Sequence, residues 1–237
     1  MEDHTNARFY EADFSKARFH GVNFSGVKIS DAWLFNVEIS GLVNKLSVNG
    51  VDVTSYVAGE LNKRHPELLL LSPFDPEGVR NAWTAIEEFS AATLDRARAL
   101  PPEKLDESVD EEWSFVETLR HLVFATDRWI TGPVLRDPKP FHPLGLPNPP
   151  LDEVPPGVFD LDANPTFEEV LEVRRDRMDR VAELVKGINT DDLNQQVPSP
   201  NGGMTSVMSC LHIVFREEWA HDQYANRDLA ILARGQN

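Results

Sequence analysis

Three side chains are suited to hold a metal ion. Glu217 and His221 stand four apart in the run Glu217-Glu218-Trp219-Ala220-His221, and His121 lies far upstream in another apolar stretch. On a helix, residues four apart share a face with Cβ atoms roughly 5–6 Å apart. Glu217 and His221 can then point at one ion while His121 closes the site from a neighbouring helix. Three protein ligands leave one position open, as in catalytic rather than structural zinc-type sites, where water or a substrate atom occupies the fourth place. The spacing alone leaves two plainer readings open: a surface Glu–His pair, and a core histidine at position 121.

The elements that must position these residues follow from periodicity. From Glu77, the residues Val79, Ala82, Trp83, Ile86, Phe89, Ala92 and Thr93 trace one helical stripe, with Pro76 as starter and Pro101 as stop. A second helix is expected from about Ser114 to Leu135, opened by a Ser114/Glu117 capping box. Residues 137–165 are rich in proline and read as a long ordered crossover. A third helix follows Pro165, with Thr166 and Glu169 as a further capping box, and runs to about Gly187; a fourth spans about Thr205 to Ala233. His121 falls mid-way along the second helix, and Glu217 with His221 mid-way along the fourth. Four long helices with one long crossover make a bundle, whose sites are built from inward-facing side chains.

The first 40 residues obey a different rule. Phe9, Phe14, Phe19, Phe24, Ile29, Leu34 and Ile39 recur every five residues, with Ala7, Ala12, Ala17, Val22, Val27, Ala32 and Val37 two places earlier. A period of five fits neither helix nor strand and signals stacked units. This segment resembles the pentapeptide-repeat family, which implies a square right-handed β-helix of about four repeats per coil. Seven repeats make fewer than two coils, so the segment is expected not to stand alone but to bury an end or a face against the domain that follows. The register fails at Asn44. Leu46 to Val53 then alternates around Asn49-Gly50, a hairpin signal, and Thr54 or Ser55 can cap a short helix ending before Pro66. The expected organisation is a repeat segment at 1–41, a connector at 42–72 and the bundle at 73–237.

With His121 on the second helix and a Glu-x-x-x-His pair on the last, residues 74–235 resemble the DinB-like bundle family. The fold expected is therefore mainly α, a DinB-like four-helix bundle behind a short pentapeptide-repeat β-helix segment. The resemblance implies that His121, Glu217 and His221 ligate a divalent metal. The glutamate-containing pair looks most like the mycothiol-dependent maleylpyruvate isomerase branch, which implies a transferase or isomerase using mycothiol or bacillithiol on a small-molecule substrate. Zinc is the default for such donors, and nickel, manganese or iron bind similar groups. A metal-dependent hydrolase and a non-catalytic metal-binding stress or interaction module remain as alternatives.

Neighbouring residues offer fewer grounds for ligation. Glu218, three residues from His221, is an alternative carboxylate donor. A di-iron site needs Glu-x-x-His on two helices, and Glu117-x-x-x-His121 is one residue too wide. Glu117 reads first as a cap, and as a second choice as a partner to His121. His212 faces away from His221. His142, in the crossover, suits a packing or capping role better than proton carriage. Trp83, Trp129 and Trp219 read as core, and Arg128 suits either a carboxylate substrate or an ion pair. Cys210 stands some 16 Å along the helix from His221 at roughly 1.5 Å per residue.

Composition narrows the function classes. A formal charge of −16 argues against nucleic acid, whose phosphates need clustered Lys and Arg. Residues 1–71 hold nine acidic and seven basic side chains, net −2, which leaves −14 for the helical part. A short, nearly neutral repeat is a poor match to acidic DNA-mimicking pentapeptide proteins that bind topoisomerases. No run approaches the roughly 20 apolar residues of a membrane span, and the acidic, polar start is unlike a secretory signal. A cytoplasmic protein is expected. With Cys210 as the lone cysteine, metal donors must come from His, Glu and Asp. Bundle faces can pair, so a homodimer is compatible with the sequence.

Overall fold

A computed structural model of the chain describes residues 3–19, 21–41, 43–148 and 157–235. They fall into two compact units, one running from the N-terminal residues to Ala58 and the other beginning at Gly59. Residues 149–156 of the expected crossover lie outside the described residues.

In the first unit the five-residue period is a backbone rhythm. Asn6, Glu11, Lys16, Gly21, Gly26, Asp31, Asn36 and Gly41 all have positive φ, from 50° to 136°. The left-handed turn thus recurs at every fifth residue, at positions held mostly by Gly, Asn and Asp, whose side chains tolerate it. Alternate turns are tightened by side-chain acceptors: Asp3 receives the Thr5 N–H, Asp13 that of Ser15 and Asn23 that of Ser25. Phe9, Phe14, Phe19 and Phe24 make successive ring contacts at 5.4, 6.0 and 5.3 Å. The seven large apolar residues of the register nonetheless stay 50–67% exposed. So short a stack gives its coils too few neighbours to close a core. The Asn-Gly signal is realised as a tight hairpin, with β1 (Ser47–Val48) and β2 (Val51–Asp52) paired antiparallel around Asn49 and Gly50 at φ 50° and 79°. Helix α1 follows at Thr54–Arg64.

The second unit is a helical bundle. Its long helices are α2 (Pro76–Arg98), α3 (Phe115–Thr126), α4 (Phe167–Gly187) and, after the short α5 (Thr190–Asn194), α6 (Val207–Arg234). Each begins where a side chain can take the orphan N–H groups of its first turn. Asp75 caps α2 ahead of Pro76, Ser114/Glu117 and Thr166/Glu169 form reciprocal boxes on α3 and α4, and Ser206 caps α6. Helices α4 and α6 each pack against both α2 and α3, so α2 faces α3, and α4 faces α6, across the diagonals. A hairpin of β3 (Gln196–Pro198) and β4 (Met204–Ser206) leads into α6.

One expectation needs correction. The second long helix ends as α-helix at Thr126 and continues as a π-turn over Asp127–Thr131, where an α-helix to Leu135 was expected. The physical reason is Asp127. Its fully buried carboxylate takes both Nε and Nη2 of Arg177 at 2.8 and 3.2 Å, the Thr131 hydroxyl at 3.0 Å and the His142 N–H at 2.9 Å. The widened turn accommodates this set of bonds. No helix among the described residues is long and apolar enough to cross a membrane.

Candidate metal centre

Two apolar clusters fill the bundle, one around Ile86, Ile130, Val181 and Phe215, the other around Ala97, Leu119, Val170 and Leu229. Each long helix passes through a polar layer between them: Thr93 on α2, His121 on α3, Arg174 and Arg177 on α4, and Glu217, Glu218 and His221 on α6. Buried polar groups are costly without partners. The layer is therefore a defined structure rather than a packing accident.

Within it, one ligand atom from each of His121, Glu217 and His221 lies within 4.8 Å of the others. Among the described residues no other group of three His, Cys, Asp or Glu side chains converges in this way. Glu217 Oε2 is 3.4 Å from His121 Nε2 and 3.3 Å from His221 Nε2. His121 is buried at 3% exposure, while Glu217 at 36% opens to solvent. Burial pushes the Glu217 carboxyl up, but hydrogen bonds from both imidazoles, together with their charge, hold it down to about 2. The carboxylate is thus ionised, as a ligand must be.

The second ring nitrogen of His121 decides the fit to a metal. Nδ1 lies 3.0 Å from the Leu146 carbonyl oxygen, which can only accept, so Nδ1 carries a proton, and Nε2 is the nitrogen turned toward Glu217 and available to an ion. A ring anchored through its Nδ1–H to a carbonyl, with Nε2 left for the ion, is the usual setting of a metal-bound histidine. The carbonyl itself is placed by the adjoining residue: the Leu146 N–H donates to the Arg120 carbonyl at 3.1 Å. The Arg120 guanidinium, 4% exposed, donates to the carbonyls of Leu144, Asp160 and Ala163 at 2.9, 2.8 and 2.8 Å. Arg120 thus ties both described arms of the crossover to α3. Nothing in the helical pattern of the sequence singled it out.

Trp113 is the other residue that spacing did not reveal. It lies outside every helix, just before Ser114, with its indole centroid 4.8 Å from the His121 ring and 6.1 Å from the His221 ring, nearly parallel to the latter at 24°. The two residues beyond Val109, Asp110 and Glu111, have φ of 53° and 63°. Such conformations cost of order 1–3 kcal/mol each for non-glycine residues and persist where the surroundings impose them.

The remaining candidates have other roles. Glu218 is 3% exposed and paired with Arg174, also buried, across the α4–α6 diagonal; its carboxyl is raised by burial, against the pull of Arg174. It is occupied, and Glu217 is the carboxylate that meets both histidines. Glu117 caps α3. His212 bonds the Pro73 carbonyl at 2.6 Å. His142 accepts the Leu144 N–H on Nδ1 at 3.1 Å, and burial followed by the charge of Arg177 lowers its pKa, so it is a neutral packing element of the crossover. Arg128 bonds Pro200 O and the Asn201 side chain. Cys210 is buried and burial raises its thiol to about 11.

A small, shallow cleft lies between α2, α3 and α6, with apolar walls at Phe89, Leu94 and Leu119 and with His221 and Asp222 on its polar side. A donor set of two imidazoles and one ionised carboxylate, with Nδ1 of the buried histidine anchored to a carbonyl, can hold a divalent ion. Comparison with known proteins agrees with this architecture. Pentapeptide repeats match residues 3–41 in eight copies, one more than the apolar register counts and equal to the eight left-handed turns. No curated protein and no solved structure gives a significant match. A bundle with this order of helices, histidine on α3 and Glu-x-x-x-His on α6, is matched over residues 85–225 by the family model of the DinB superfamily, to which the chain belongs.

Proposed function

We propose that this protein binds one divalent metal ion through His121, Glu217 and His221 and uses it in the cytoplasm to activate an external low-molecular-weight thiol, of the mycothiol or bacillithiol kind, for a transfer or isomerisation reaction on a small electrophile. One observation carries the reading. Three donors converge beside solvent in a chain whose lone thiol, Cys210, is buried and held protonated by a pKa raised to about 11. A thiol nucleophile must then come from outside. When bound, an ion such as zinc, or nickel, manganese or iron, lowers the pKa of a thiol or water in its open position and polarises a carbonyl. The chain supplies the geometry: Leu146 holds His121 in the ligating tautomer, and Glu217 contributes the negative charge that offsets that of the ion. The Glu-x-x-x-His pair also favours a thiol over water, through its likeness to the mycothiol-dependent isomerase branch.

The test is spectroscopic. The purified chain should take up one equivalent of cobalt, and mycothiol or bacillithiol should then produce a thiolate-to-metal absorption band at concentrations where a small generic thiol does not. An electrophile such as maleylpyruvate or a haloaromatic should be consumed only with the thiol present, and not by His121→Ala. Cobalt uptake with no band but with ester or amide hydrolysis would transfer the assignment to a metal hydrolase. Uptake with neither would leave a metal-binding module.

A further inference from the structure

We propose that Trp113 is a positioning residue of the metal centre and that the Glu112–Arg227 ion pair is the latch that seats it. The inference rests on the metal reading above and adds a residue to which that reading assigns no part. The geometry is specific. The Trp113 indole faces both histidines of the triad, at 4.8 Å and 36° from His121 and at 6.1 Å and 24° from His221, while the two imidazoles stand 4.7 Å apart at 51°. A histidine ligand has two torsions to fix. For His121 the Leu146 carbonyl fixes the ring from its Nδ1 edge. For His221, Tyr224 meets the ring edge-on at 5.9 Å, and Trp113 supplies the face. Trp113 is thus the one aromatic side chain of the described residues in ring contact with both imidazoles. An imidazole polarised by a cation gains further from an indole face, whose quadrupole attracts positive charge.

The seat of the indole is built. The chain reaches Trp113 through two successive left-handed residues, Asp110 and Glu111, and the Glu112 N–H is returned to the Val109 carbonyl at 3.0 Å. The Glu112 carboxylate is ion-paired with Arg227 on α6, the helix that carries Glu217 and His221. Arg227 is in turn held by Asp228 at 2.7 Å and lies over the Tyr224 ring at 5.6 Å. Indole, latch and two of the three donors are therefore fixed to one helix.

The experiment uses the full chain loaded with cobalt, reading affinity by competition with a chromophoric chelator, the ligand-field absorption band, and melting of the metal-free form. Trp113→Ala should weaken cobalt binding about 10–100-fold, the range seen when residues that orient ligands are removed, and should shift or broaden the band. Trp113→Phe, which keeps an aromatic face, should retain most of the affinity and the wild-type band. Arg227→Gln should fall between them. An unchanged band and affinity in Trp113→Ala would overturn the proposal, as would equal losses in the Ala and Phe variants. A lowered melting temperature with an unaltered band would likewise reduce Trp113 to packing. Failure of the wild type to bind cobalt would instead remove the metal reading itself, and this inference with it.

Discussion

Two adjacent glutamates on α6 have opposite work, and the difference is one of environment. Glu217 is partly open and faces two imidazoles; Glu218 is sealed in the bundle against Arg174. Glu217→Gln removes the charged donor and should strip most of the metal while leaving the metal-free fold nearly as stable as before. Glu218→Gln should do the reverse, because removing one partner of a buried pair leaves the other charge uncompensated at a cost of about 3 kcal/mol or more. Metal content and denaturant unfolding of both variants check this; metal lost from Glu218→Gln alone would identify the wrong carboxylate as ligand. That His121, Glu217 and His221 converge could be anticipated from the i, i+4 step on α6 together with the resemblance that pairs it with a histidine on the second helix. Trp113, Leu146 and Arg120 could not be, since what defines them is a contact made between separate elements. A tryptophan before a helix cap and an arginine on an apolar helix carry no periodic signal of such contacts.

At the scale of elements, the Asp75 and Ser206 caps were seen only in the structure. The four long helices could be read from their apolar stripes, from Pro76 at the start of α2 and from the Ser114/Glu117 and Thr166/Glu169 boxes, signals that lie within each helix's own first turn. The π-turn at Asp127 could not, because its cause lies on α4, fifty residues away in Arg177. The β3–β4 hairpin escaped notice because its strands have three residues each, too few for an alternation to stand out. The part of the crossover in the site was hidden in backbone carbonyls, those of Leu144, Leu146, Asp160 and Ala163. That part has a direct test. Arg120→Met keeps the volume of the side chain and removes all three of its bonds to the crossover carbonyls. Charged hydrogen bonds are worth about 1.5–3 kcal/mol each, so the variant should lose about 3 kcal/mol or more in denaturant unfolding. It should also be cleaved faster by protease within residues 141–163. Metal affinity should fall with it, through the Leu146 carbonyl that orients His121. A variant with loosened crossover and wild-type metal affinity would show that the His121 tautomer does not depend on this loop.

For the whole molecule, the repeat and the bundle follow separate folding rules, one a left-handed turn every fifth residue and the other helical stripes with caps. The sequence displayed the first through its apolar register, yet the register undercounted the repeats, because the eighth is marked by its turn residue and not by a phenylalanine or isoleucine in phase. All three proposed ligands, the residues that orient them and both apolar clusters belong to the unit that begins at Gly59. A chain starting at residue 42 should accordingly keep the helical circular dichroism of the bundle and bind metal with the affinity of the full chain. The repeat carries large apolar side chains at 50–67% exposure, and exposed apolar surface of this extent is a liability for solubility. Removing it should therefore not impair the solubility of the bundle unless the repeat serves that unit as cover. Light scattering and melting of the two forms distinguish the cases. A truncated chain that stays monodisperse with an unchanged melting temperature would make the repeat an independent appendage. Aggregation or an earlier melt would make it a shield for the bundle, and loss of the helical signal altogether would overturn the view that the bundle folds by its own rules.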